Sequence, residues 1–224
     1  MAAGGERSPG VGVLAALEGA GLMVWHALAT PFIGRQRLRW GTVGAEAVDS
    51  LPGDELVPNP KWSYTLGVGV DATPEAVWPW IAQIGQGRGG FYTYQTLENL
   101  AGCKITNTTE ILPDHQHPEV GGEIHLHPET PPLRIEIVDP PHALVIFGSP
   151  ADVGTEKTWG MSTWQFIVTP GPNGGSRFLT RGRYDHALDW KSRLFFSRFP
   201  IEVLSFVMSR KMMLEIKRLA ERHA

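Results

Sequence analysis

Five stretches of strand character follow one another between residues 122 and 184, and this crowding constrains the fold more than any other feature. They lie at 122–127, 133–138, 143–148, 161–169 and 177–184. Pro140-Pro141 and the run Pro172, Asn173, Gly174, Gly175 supply turns, and strands this close in sequence pair as an antiparallel meander. A further strand precedes them. Trp62, Tyr64, Leu66, Val68 and Val70 alternate with Ser63, Thr65, Gly67 and Gly69, a period of two that marks one buried face. A helix should then start with Thr73 as N-cap and Pro74 at its first position, and a second short helix is predicted over 93–100. Residues 201–223 read as a long helix beginning at Pro200, with Leu204, Val207, Met208, Met212 and Ile216 on one face. This order predicts an α+β fold in which an antiparallel sheet wraps a long C-terminal helix, leaving one core and one cavity.

Composition narrows the partners. The net charge of −3 gives no reason to expect nucleic acid, although residues 177–222 carry 11 Lys/Arg against 5 Asp/Glu. That basic part either solvates a helix face or meets an anionic surface. A single cysteine, Cys103, excludes an intramolecular disulfide and suits a reducing, cytoplasmic compartment. With no His partner near it in sequence, Cys103 reads as a small buried hydrophobe. Residues 11–33 are largely apolar and are followed by Arg35, Arg37 and Arg39. Such a run can span a bilayer, coat one or pack on the protein, and Glu18 argues against a span. The expected organisation is an apolar extension over 1–36 and a ligand-binding domain over 37–224.

The richest segment chemically is 77–99, VWPWIAQIGQGRGGFYTYQTLEN, which crowds aromatic and polar groups beside a glycine loop as a cavity wall does. Gly85, Gly87 and Gly90 match a dinucleotide fingerprint, but a helix precedes them where that motif needs a strand. Together with RLRWGTVGAE at 37–46, LPGDELVPNP at 51–60, TPEAVWPWIAQIGQGRGGFYTYQTLENLAG at 73–102, ILPDHQ at 111–116 and FVMSRKMMLEIKRLAER at 206–222, this segment resembles a bacterial branch of the SRPBCC superfamily. That superfamily is also described as START-like, Bet v 1-like or polyketide cyclase/dehydrase-like. The resemblance implies a helix-grip fold that binds an apolar or amphipathic small molecule between sheet and helix. It also implies an alternative, a cyclase or dehydratase, and so leaves open whether the chain is an enzyme.

The candidate ligand contacts are Arg88, Tyr92, Tyr94, Glu98, Asn99, Gln116 and Trp164. Arg88 offers a planar fork for a carboxylate or enolate-like oxygen, or else pairs with Glu98. A buried Glu98 would have a raised pKa and could move a proton. In the enzyme alternative Glu98, Arg88 and Tyr92 are the catalytic candidates. A third reading is a membrane-associated lipid carrier or sensor using residues 11–33 and the basic C-terminal part. His125 and His127 share a strand face with Glu123 on the solvated side, so no metal and no cofactor are expected. One of Arg181 and Arg183 could face the cavity, and the alternation does not say which. Oligomeric state is not legible.

Overall fold

The alternating segment forms β1 (Trp62–Val70) in the computed structural model, which describes residues 9–149, 160–185 and 198–224. Residues 1–8 of the expected extension, and Lys191 and Arg193 of the basic part, lie outside the described residues. The other strands are β2 (Glu123–Ile124), β3 (Leu133–Asp139), β4 (Ala143–Gly148), β5 (Ser162–Pro170) and β6 (Ser176–Tyr184). They form one antiparallel sheet ordered β1-β6-β5-β4-β3-β2, so the meander is continuous and β1 closes onto β6. β2 is shorter than the expected 122–127 because the His125 carbonyl accepts the Gln86 amide at 3.1 Å, which takes the backbone out of the ladder.

Among the described residues four α-helices accompany the sheet: α1 (Pro9–Arg37), α2 (Pro74–Ala82), α3 (Gln95–Leu100) and α4 (Arg198–Arg222). The inward side chains of β1, β5 and β6, among them Tyr64, Leu66, Phe166, Val168 and Phe178, pack with α2 and α4 in one core. On α4 the buried face is Val203, Phe206, Val207, Met212, Met213, Ile216 and Leu219, whereas Leu204 is 47% exposed. Val207, Met212 and Ile216 of the expected face are buried, but Leu204 is not, and Val203 and Phe206 are buried in its place, Phe206 against His26 of α1.

The outer face of the sheet is also covered. Residues 41–58 run across it, and Leu51 packs on a small second core of Ala143, Ile167 and Leu179. This cover settles the two arginines. Neither faces the cavity. Arg181 donates to Asp54 Oδ2 at 2.6 Å and to the Asp49 and Glu46 carbonyls, and Arg183 donates to the Val57 and Pro58 carbonyls. Both side chains sit on the outer face because they stand two and four residues from Leu179, an even spacing along the strand. Residues 38–40 guard the free edge of β1, whose Thr65 and Gly67 amides donate to the Leu38 and Trp40 carbonyls, each at 2.9 Å. The next residue must be glycine: Gly41 has φ +70, and a Cβ there would lie 2.0 Å from the Gly67 carbonyl oxygen.

Candidate functional site

Where β5 faces α4, a cavity of about 170 Å3 remains. Its lining comes from the 83–94 loop (Phe91, Thr93), from α3 (Glu98), from the second residue after β2 (Leu126), from β5 (Trp164) and from α4 (Met208, Ser209, Met212). Five of these eight are apolar or aromatic. Phe91 stacks on Trp164 with centroids 6.0 Å apart, and the Trp164 indole N–H donates to Thr180 Oγ1 at 2.9 Å. The Trp164 ring is thus fixed in place, with its one polar atom satisfied away from the cavity.

Three polar side chains reach the lining. Ser209 Oγ lies 3.3 Å from the Tyr64 hydroxyl, so it has a partner. Glu98 and Thr93 are each 9% exposed, and both Glu98 Oε2 and Thr93 Oγ1 are buried without a hydrogen-bond partner. Burial raises the pKa of the Glu98 carboxyl, and the neighbouring Thr93 hydroxyl opposes that shift without reversing it. Buried polar atoms are nearly always hydrogen-bonded, and one left over in a cavity marks a place for a ligand or water. The site therefore combines an apolar body with a buried carboxyl group whose pKa lies above the ordinary carboxylate value.

The loop preceding Glu98 owes its shape to groups with little sequence signal. Gly85 and Gly90 exchange backbone hydrogen bonds at 3.0 and 3.1 Å, which pinches the loop shut below Arg88. Gly90 has φ +79 and a Cβ on it would lie 2.4 Å from Asn107 Oδ1. That oxygen accepts the Phe91 amide at 3.0 Å and the Tyr92 amide at 2.8 Å, holding Tyr92 in the left-handed region at φ 58. Gln83 completes the frame. Its Nε2 donates to the Tyr92 hydroxyl at 2.9 Å and to the Glu110 carbonyl at 3.0 Å, while its Oε1 accepts the Leu112 amide at 2.8 Å. Gln83 and Asn107 were not among the candidates. Lone amides in loops carry no periodic signal, and only their partners reveal them.

Of the seven candidates, Glu98 and Trp164 line the cavity. The polar atoms of the others are turned to the framework. Arg88 Nη2 donates to the Ala82 carbonyl at 2.9 Å and the His115 carbonyl at 3.4 Å, and it forms no ion pair with Glu98. Tyr92 is 1% exposed, its hydroxyl is bonded to Gln83, and burial raises its pKa. Asn99 clasps Ile105 through both backbone groups, and Gln116 Nε2 donates to Gln83 Oε1 at 3.0 Å and the Leu112 carbonyl at 3.1 Å. Tyr94 packs at the junction of α1, α3 and α4, with Lys211 Nζ 5.6 Å from its ring centroid. His125 is exposed and lies 3.7 Å from Glu123, and His127 contacts the Ala101 carbonyl. Among the described residues no group of three or more His, Cys, Asp or Glu could hold a metal.

A sheet gripping a long C-terminal helix over a ring-sized void defines a helix-grip α+β protein. No family model and no curated protein matches the chain. Solved structures similar to it include MLL2253 from Mesorhizobium loti, at 14% identity and TM-score 0.40, covering 73% of this chain and 99% of that one. NE0264 from Nitrosomonas europaea matches at 11% identity and TM-score 0.41, covering 82% and 100%. A norcoclaurine synthase from Thalictrum flavum, solved as a point mutant with a transition-state analogue, matches at 15% identity and TM-score 0.40, covering 72% and 95%. Likenesses this low carry no weight for function. The assignment rests on the chain's own geometry.

Proposed function

We propose that the protein binds a small hydrophobic or amphipathic molecule between the sheet and α4, and that Glu98 orients it. The observation that carries this reading is the buried Glu98 carboxyl on the wall of an otherwise apolar cavity, its Oε2 bonded to nothing in the framework and only the Thr93 hydroxyl close enough to act on it. A cavity of about 150 Å3 lined with aliphatic and aromatic groups holds a benzene ring, so a volume of about 170 Å3 admits one ring with a short substituent. The substituent should be a hydroxyl or amine, because a donor satisfies Glu98 and a bare hydrocarbon leaves it unpaired. Phe91, Trp164, Met208 and Met212 would enclose the ring, and the thioethers can adjust to its shape.

Calorimetric titration with benzyl alcohol, benzylamine and toluene tests the idea. The alcohol or the amine should bind more tightly than toluene, and Glu98→Leu should remove most of that preference. Met212→Trp should fill the cavity and abolish binding of all three. Equal affinity for the three probes, unchanged in Glu98→Leu, would refute Glu98 as the orienting group. The cyclase or dehydratase alternative asks Arg88 to stabilise an enolate oxygen while Glu98 moves the proton, and it finds less support because Arg88 Nη2 donates to the Ala82 and His115 carbonyls.

A further inference from the structure

α1 is long and apolar enough to cross a membrane, yet it is bound to the body along one side. Thr96 Oγ1 donates to the Gly12 carbonyl at 3.1 Å. Gly19 is buried so closely against Leu97 and Tyr94 that a Cβ would clash at 2.8 Å. The His26 ring meets Phe206 edge-on at 4.7 Å, and Arg37 Nη2 pairs with Glu202 Oε1 at 2.5 Å with both side chains buried. A helix held by its flank at four levels cannot also be ringed by lipid.

The opposite side is bare. Val13, Leu14, Leu17, Val24, Trp25 and Leu28 are 55% to 76% exposed. At about 100° per residue they fall within an arc of about 120°, a continuous stripe about 22 Å long. Exposed apolar stripes of this extent mark an interaction surface. Its charges say with what. Arg35, exposed, continues the line of Val13, Leu17, Val24 and Leu28, and exposed Arg39 follows the helix end. No acidic residue lies within that arc. Glu18, whose carboxylate would be costly in a span, stands at its flank near Tyr94, whose pKa is raised first by burial and then by this carboxylate.

We infer that α1 lies in the plane of an anionic membrane surface, with this stripe at the boundary of headgroups and acyl chains and Arg35 among the lipid phosphates. Because α1 also packs on α3 and α4, the docked face would bring the cavity's helical wall to the bilayer. The inference does not depend on what the cavity holds.

Sedimentation of the full chain with vesicles of phosphatidylcholine, with and without phosphatidylglycerol, tests it. The protein should bind the anionic vesicles and be released by alkaline carbonate. Leu17→Gln with Leu28→Gln should weaken binding by about tenfold or more, and Arg35→Glu should remove the preference for phosphatidylglycerol. Both variants change only exposed positions, and circular dichroism checks that they fold. Failure to bind, binding unaffected by the double variant, or retention through carbonate (the mark of a span) would overturn it. So would a dimer in light scattering that the double variant dissociates, since a second copy would then cover the stripe.

Discussion

At the scale of single residues, Glu98 decides most. Its pKa is raised by burial, so the folded state holds the proton more tightly than the unfolded chain. The stabilisation that results is complete below the ordinary value of 4.5 and is lost as pH rises through the higher folded value. Glu98→Gln has nothing to ionise. In ligand-free protein its Tm should therefore gain on that of the natural chain between about pH 4 and about pH 8, as thermal melts at the two ends would show. A constant offset would mean that water reaches the carboxylate freely. That Glu98 would have a raised pKa if it were buried was readable from the chemistry of a carboxyl group, though its burial was not. That Arg88 would leave it alone was not, because Arg88's partners, the Ala82 and His115 carbonyls, are backbone groups common to every residue.

At the scale of elements, the loop from Gln83 to Tyr94 shows how a wall is held by residues that never touch the cavity. Asn107→Ala removes the acceptor of two consecutive amides and with it the reason for Tyr92's left-handed backbone. We expect a loss of about 2 kcal/mol in chemical denaturation, together with faster amide exchange at Phe91 and Tyr92 and weaker probe binding. Tyr92→Phe should cost less, about 1 kcal/mol, since Gln83 keeps its other partners. Strands and turns were legible from period and punctuation: β4 spans the expected residues, and β3, β5 and β6 differ from expectation only at their ends. β2 was legible as apolar alternation but not in length, because the Gln86 amide competes for its backbone.

At the scale of the whole molecule, α1 is joined to the body through the buried pair of Arg37 and Glu202. Arg37→Met should destabilise the protein by about 1 to 3 kcal/mol, because a buried charge-assisted hydrogen bond to Glu202 is lost. Urea denaturation of the variant measures the loss. Local period, turn residues and the order of segments determined the strands, the α+β class and the apolar character of residues 11–33, since each depends on neighbours within a few positions. Only the tertiary structure decided which face of α1 is bare, that Arg181 and Arg183 turn outward to Asp54 and the backbone of 46–58, and that Glu98 rather than Arg88 reaches the cavity. Most of those outcomes hang on distant partners, 84 residues apart for Gly12 and Thr96, 127 for Asp54 and Arg181 and 165 for Arg37 and Glu202, where burial and charge neutralisation are settled between elements and no local pattern records them.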